Sequence, residues 1–312
     1  MALKQQTIRW LGQNCRGTFC GKTVLITGAN SGVGFKSAEL MVFLGAKVVM
    51  ACRNREKADA ARAELLRDYP GAQIDVMPLD LADLSSVASF AERLKADRID
   101  IDVFLNNAGV FRKPGQTTKD GFELVLGTNY VGSYYLTECV LPYLASLPHG
   151  VLLIHTISII HKIGTIDYDD FFCGKRYRDL AVYARSKLCL AKYSYDLARK
   201  YENTGVRIRM SHPGISITPL GANAFGSVVK RLSGKFGWLF NSPEKSALAL
   251  PYLMANDLPA GSIVGPRGFL NGWGYPAKNR RSRKAETGGA ELAAFTRKLI
   301  VSAGIEPPPA NV

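Results

Sequence analysis

Tyr183 and Lys187 stand four residues apart in Tyr-Ala-Arg-Ser-Lys. On a helix that spacing places both side chains on one face. A free phenol has a pKa near about 10 and is a poor base at neutral pH. A neighbouring ammonium favours the phenolate, so the pair reads as a general acid/base: a donor when a carbonyl is reduced, an acceptor when an alcohol is oxidised. Ser158 follows an apolar run and suits hydrogen bonding to an oxygen on which charge develops. Asn129 suits holding a water that links Lys187 to solvent. Each residue alone has an ordinary alternative, since surface Tyr/Lys pairs and turn-capping serines are common.

The second chemical feature is the run Thr27-Gly-Ala-Asn-Ser-Gly-Val-Gly34. Gly28, Gly32 and Gly34 fall where an apolar run gives way to a helical pattern. Glycine there tolerates positive φ and lets backbone approach a phosphate. A helix starting near Gly32 would offer free N–H groups and its positive end to a pyrophosphate. Asn30, Ser31 and Val33 belong to the same expected nucleotide turn, and Lys187 is within expected reach of a nicotinamide ribose.

Other candidates lie at the ends of successive apolar runs. Cys52-Arg53-Asn54 has no carboxylate before Glu56. An acidic residue there would bind a ribose 2′-hydroxyl, whereas arginine accommodates a 2′-phosphate, so Arg53 and Asn54 favour NADP(H) over NAD(H). Asp80-Leu81 is placed to meet an adenine. Asn106-Asn107-Ala108-Gly109 is small enough for close approach to a ribose, and its amides can tie neighbouring strands. Pro213 and Gly214 form a sharp turn near the expected nicotinamide, and Thr218 can bond its carboxamide or a phosphate. His212 reads as a packing residue, because Tyr183 already fills the acid/base role.

Strand-like runs at 24–27, 47–51, 73–77, 101–105, 151–155 and 206–210 alternate with helical patterns at 32–44, 55–69, 84–95, 121–144 and 182–201. This predicts an α/β fold: a single-domain, doubly wound parallel sheet of Rossmann type, with about seven strands flanked by helices. The expected organisation is an N-terminal extension over 1–20, the dehydrogenase-like domain over 21–303, and a flexible tail over 304–312. Excursions at 159–181 and 215–241 follow strands, where open α/β sheets hold their ligands, and are expected to be substrate loops. The second carries Ile215, Ile217, Leu220, Phe225, Trp238, Leu239 and Phe240, which suggests an apolar substrate; simple packing of the loop is the alternative.

The 312 residues are 47% hydrophobic and carry a net charge of +14. No run reaches the roughly 18 apolar residues of a membrane span, and the first residues lack the apolar middle of a signal peptide, so a cytoplasmic location is expected. Six cysteines without a Cys-x-x-Cys pair, and four histidines, favour neither a metal site nor a disulfide framework. The basic cluster Lys278, Arg280, Arg281, Arg283 and Lys284 lacks interleaved aromatics. It reads as a solvated surface rather than a nucleic-acid site, with weak association to acidic membrane left open.

Together these residues resemble the short-chain dehydrogenase/reductase family from about Gly21 to Pro276. Thr-Gly-x-x-x-Gly-x-Gly and Tyr-x-x-x-Lys have the spacing of its shorter type. Ala51-Cys-Arg53, the segment from His161 to Asp170, Lys175-Arg-Tyr177, and a Ser158-to-Tyr183 distance of 25 residues resemble its retinol dehydrogenase-like branch. That resemblance implies Asn129, Ser158, Tyr183 and Lys187 as the catalytic four, NADP(H), and an apolar carbonyl or alcohol. It also implies a homodimer contact through the helices at 121–144 and 182–201, which the long insertion before Tyr183 could modify. Two departures stand out. His155-Thr-Ile-Ser158 replaces the usual Asn-Val-Ser-Ser, and the anchoring N-terminal helix of the retinol enzymes is missing, which argues against a retinoid. The expected function is an NADP(H)-dependent alcohol/carbonyl oxidoreductase, and the alternative is a catalytically silent NADP(H) sensor.

Overall fold

The computed structural model describes residues 4–17, 19–111, 113–215 and 241–309. The strands are β1 (Thr23–Thr27), β2 (Lys47–Cys52), β3 (Ile74–Pro78), β4 (Val103–Asn106), β5 (Val151–Thr156), β6 (Val206–Ser211), β7 (Ile263–Pro266) and β8 (Pro276–Lys278). They form one sheet in the order β3-β2-β1-β4-β5-β6-β7-β8. Every pairing is parallel except the last, where β8 returns antiparallel to β7. The order reverses between β1 and β4, so a crevice opens beyond the carboxyl ends of those strands.

Side chains alternate across β1 and divide the core in two. Leu25 joins an apolar layer with Phe90, Tyr130, Leu188 and Leu292, whereas Val24 and Ile26 join another with Leu40, Met41, Leu65 and Leu250. The principal helices are α1 (Gln5–Asn14), α2 (Gly32–Phe43), α3 (Arg55–Asp68), α4 (Leu84–Ala96), α5 (Ser133–Ala145), α6 (Asp179–Lys200) and α7 (Gly289–Ser302). Asn54 caps α3 by accepting the Lys57 N–H at 2.8 Å, and Asp83 caps α4 by accepting from Ser85 and Ser86.

Three expectations need correction. The strand before the fourth turn runs over Val103–Asn106 rather than 101–105, because the Asp102 carboxylate is occupied with the Thr23 N–H at 2.8 Å and Lys22 at 2.7 Å. The long helix over 121–144 does not begin at Gly121, which has φ +86° in a turn closed by a bridge between Thr117 and Glu123. Glu123 then caps Val125 and Leu126, and the path continues as a π-helical turn over Gly127–Gly132 before α5. The C-terminal tail, expected to fray, packs as far as Pro308: Tyr135 donates to the Glu306 carbonyl at 3.0 Å and Arg297 to that of Pro308 at 2.6 Å.

The N-terminal segment is also held. Trp10 of α1 stacks on Tyr275 with ring centroids 5.3 Å apart, and Asn256 donates to the Asn14 carbonyl. At the other side of the sheet, α7 lies along α6. Tyr130 and Thr296 share a hydrogen bond of 2.7 Å, and Lys192 and Arg199 of α6 bond the Thr287 and Glu286 carbonyls. The chain itself thus covers part of the helical face that the family resemblance offers to a second copy. In the basic cluster, Arg281 lies over the Tyr195 ring and pairs with Glu286, whereas Lys278, Arg280, Arg283 and Lys284 are exposed. No helix among the described residues is long and apolar enough to cross a membrane.

Candidate active site

A cavity of about 460 Å³ occupies the crevice beyond β1, β4 and β5. Gly28, Asn30, Ser31, Gly32, Val33 and Gly34 line one end of it. Gly28 and Gly32 have φ of +67° and +58°, the left-handed region where glycine carries no steric cost. A Cβ on Gly34 would collide with the Gly28 carbonyl oxygen and lie 2.7 Å from Asn107 Nδ2. The turn is therefore wound as tightly as its backbone permits. It delivers the first N–H groups of α2 to the cavity, as a phosphate requires.

The turn is fastened to the next strand. Thr27 Oγ1 accepts the Asn107 and Ala108 N–H groups at 2.9 and 2.8 Å, and the Asn107 amide donates to the Thr27 carbonyl at 3.0 Å. Asn106 reaches the Ser133 carbonyl at 3.4 Å. These are the strand ties expected of the Asn-Asn run. Arg53, Asn54, Asp80, Leu81, Asn107, Ala108, Gly109, Pro213 and Gly214 all line the cavity. One Asp80 oxygen accepts the Ala82 N–H. Thr218, Ile217, Leu220, Phe225, Trp238, Leu239 and Phe240 lie outside the described residues. Lys57, on the first turn of α3, joins Arg53 at the cavity mouth and was not anticipated. Only the cap that winds α3 from Asn54 brings it there.

At the other end three of the four expected catalytic residues, Ser158, Tyr183 and Lys187, line the cavity, and Asn129 is buried behind its wall. Tyr183 and Lys187 project from α6, with the Lys187 ammonium 6.0 Å from the centre of the Tyr183 ring. Lys187 is 3% exposed and donates to the Thr156 carbonyl at 2.9 Å. Ser158 lines the same end of the cavity and favours the Tyr183 phenolate. Asn129 sits in the π-helical turn and clamps Val110: its Oδ1 accepts the Val110 N–H at 2.7 Å and its Nδ2 donates to the Val110 carbonyl at 2.9 Å. Its second amide proton faces Ser186 Oγ at 3.3 Å. A Cβ on Gly109 would lie 3.0 Å from Asn129 Oδ1 and 3.6 Å from Lys187 Nζ, so glycine leaves the room in which these two groups meet.

The electrostatics run opposite to the simple expectation. Burial pushes the Tyr183 phenol up to about 12, only partly offset by Ser158. Burial also lowers the Lys187 ammonium to about 8. Desolvation of both groups outweighs their mutual effect, so in the open crevice the tyrosine is a neutral phenol beside a cation that is easily discharged. Tyr183 keeps intermediate exposure toward the cavity despite this enclosure.

Two histidines behave as scaffold. His155 is fully buried between Thr137 at 3.0 Å and Ser194 at 2.8 Å, and burial lowers it to about 3. It thus fills, as a neutral ring, the place where the family usually has asparagine. His212 shares a hydrogen bond of 2.7 Å with Asn279, accepts the Gly214 N–H at 3.2 Å and is lowered to about 4. Its packing role holds, and it also pins the turn at Gly214. Phe111, buried and edge-on to Tyr183 at 5.0 Å, joins Ile159, Ile160, Leu180 and Ile215 as an apolar wall. Phe111 and Leu180 carried no signal in the sequence, because they flank the motifs rather than belong to them.

The pattern described as short chain dehydrogenase matches residues 22–227. This chain belongs to the short-chain dehydrogenases. It is 36% identical to retinol dehydrogenase 13 of Homo sapiens over 244 residues, 76% of this chain and 73% of that one. Retinol dehydrogenase 14 of Homo sapiens is 37% identical over 256 residues, 77% and 76% of the two chains. Among solved structures, an uncharacterised protein from Mycobacterium paratuberculosis matches with a TM-score of 0.73 at 32% identity, covering 94% of this chain and 97% of that one. These relatives place the short-chain dehydrogenase on the retinol dehydrogenase-like branch, as an NAD(P)-dependent oxidoreductase of alcohol dehydrogenase type.

The tightness of the glycine turn yields a direct test. Gly34→Ala should abolish nucleotide binding by fluorescence titration and lower the melting temperature, because backbone must move to admit the methyl group. Gly71→Ala, where a Cβ meets nothing within 4 Å, should leave both unchanged.

Proposed function

We propose that this short-chain dehydrogenase uses NADP(H) to interconvert an apolar alcohol and its ketone or aldehyde, with Tyr183 as general acid/base. The observation that carries the reading is the juxtaposition, at one end of a crevice walled by apolar side chains, of the buried Tyr183–Lys187 pair and Ser158. The glycine turn at the other end has the φ angles and the missing Cβ that a pyrophosphate needs, so the residues fit a dinucleotide.

Gly28 to Gly34 would hold the pyrophosphate through backbone N–H groups. At the end of β2, Arg53, Asn54 and Lys57 line the cavity and no carboxylate does, which supports a 2′-phosphate. Asp80 and Leu81 would meet the adenine, and Asn107, Ala108, Gly109, Pro213 and Gly214 the nicotinamide half. When bound, the nicotinamide supplies or takes up the hydride.

The remaining chemistry belongs to the chain. The Tyr183 phenol gives its proton to the carbonyl oxygen as the carbonyl carbon is reduced, and Ser158 donates a hydrogen bond to that oxygen. The Lys187 ammonium stabilises the phenolate left behind. Asn129 supports the wall at Val110, with one Oδ1 lone pair remaining for a water on the proton-return path. Phe111, Ile160, Leu180 and Ile215 exclude water and favour an apolar substrate.

The pKa directions set the pH dependence. Tyr183, raised to about 12, is protonated throughout the neutral range, as reduction requires. Lys187, lowered to about 8, carries its charge below that pH and loses it above. In pH profiles, kcat/KM for carbonyl reduction should therefore be level near neutrality and fall above about 8.

Cofactor choice and proton transfer separate by mutation. Arg53→Ala should raise KM for NADPH by about ten- to a hundredfold, the loss of one charge-assisted hydrogen bond, and leave KM for NADH nearly unchanged. Tyr183→Phe should cut turnover on a panel of apolar ketones and aldehydes by about 10²–10⁴-fold while NADPH still binds. A wild-type protein that binds NADPH and reduces nothing in that panel would instead be a sensor.

A further inference from the structure

We infer that His161 is a positioning residue for the reaction, holding Ser158 in register with Tyr183 by a side-chain hydrogen bond to the Ser158 main chain. This rests on the reading of Ser158 and Tyr183 given above.

Ser158 ends the segment after β5 and opens the 3₁₀ turn Ile159–Ile163. The Ser158 carbonyl accepts two hydrogen bonds from His161, one from the backbone N–H at 3.0 Å and one from ring Nδ1 at 2.6 Å. A carbonyl oxygen has no proton, so Nδ1 must carry one and act as donor. The hydroxyl of the same serine accepts the Ile160 N–H at 3.4 Å, and the residue lines the cavity beside Tyr183. Position and direction of that hydroxyl are therefore set through one short turn, whose closing side chain is His161.

His161 is 1% exposed, and its Nε2 is buried with no hydrogen-bond partner among the described residues. A buried unpaired ring nitrogen is costly. Leucine would fill an apolar site without that cost. The ring is not stacked on the cavity either, since His161 does not line it. Its polar contact with the structure is the bond to Ser158. Lys162, Lys284 and His212 lie close enough to disfavour a second proton, and burial acts the same way, so the ring stays neutral with Nδ1 as its donor.

The need for such a bond follows from the excursion between Ser158 and Tyr183. A chain of this length does not by itself fix the two ends, so contacts must. Arg185, in the second turn of α6, supplies one set: it donates to the carbonyls of Thr165 at 2.7 Å, Phe171 at 2.8 Å and Asp170. Those bonds fasten the middle of the excursion to the helix that bears Tyr183. His161 fastens its beginning.

Three substitutions test the assignment. Asparagine places an N–H donor near the position of Nδ1, glutamine places one farther out near Nε2, and leucine has none. His161→Leu and His161→Gln should lower kcat for carbonyl reduction by about ten- to a hundredfold with NADPH affinity unchanged, and His161→Asn should stay within about threefold of wild type. The alkaline ultraviolet difference titration, taken against Tyr183→Phe to isolate that phenol, reads the same geometry without turnover. With Ser158 loosened, Tyr183 should ionise at higher pH in the leucine and glutamine variants and at the wild-type pH in the asparagine variant. Equal kcat and equal Tyr183 titration in wild type, leucine and glutamine variants would overturn the assignment. So would a parallel loss of kcat, NADPH affinity and melting temperature in all three, which marks a purely structural ring. An inactive wild type whose Tyr183 titration still follows the pattern would sink the functional reading and leave the positioning role standing.

Discussion

A lysine ammonium held almost wholly out of water is the constraint around which this crevice is arranged. Among the described residues Lys187 has one close acceptor, the Thr156 carbonyl at 2.9 Å, and the Tyr183 ring beside it. A cation so placed loses hydration that a single carbonyl does not replace. The fold tolerates it because α6 is anchored by other means along its length. Tyr193 meets Glu138, Ser194 meets His155, and Arg199 and Lys192 reach the segment before α7. The helix is fixed by groups away from the cavity, and Tyr183 and Lys187 are carried into place with it.

The same division of labour appears across the sheet. The glycine turn is fastened by Thr27 and Asn107, and the Asn129 clamp on Val110 sets the opposite wall. The π-helical turn at Gly127–Gly132 gives that asparagine its place, a local irregularity of the sort often found at functional positions. Between these anchored walls Tyr183, Ser158 and the cationic pair Arg53 and Lys57 are among the polar groups that face the cavity. The cationic pair and the Tyr183–Ser158 pair thus lie at opposite ends of one cavity.

The sequence disclosed spacing well and environment poorly. Tyr183 with Lys187, and the three glycines, are local patterns legible without coordinates, and both line the same cavity. Alternating periodicity marked β1 to β6 as strands but not their order in the sheet, and it missed β7, which has four residues, and β8, which has three and begins with proline. Lys57, Phe111 and His161 were missed because each acts through a fold-made neighbour. The largest misjudgement was electrostatic. Adjacent residue types suggested that the ammonium would acidify the phenol, but the degree of enclosure is a property of packed layers, and it moved Tyr183 upward instead.

The contact of Trp10 with Tyr275 has a bearing on how the polypeptide matures. Helix α1 leaves the ribosome well ahead of the surface on which it rests, Tyr252 and Tyr275. At ordinary rates of synthesis that interval is on the order of tens of seconds. Throughout it an amphipathic helix with a tryptophan on its face has no native place to lie. Chaperones or a lipid surface would meet that helix before its own protein does.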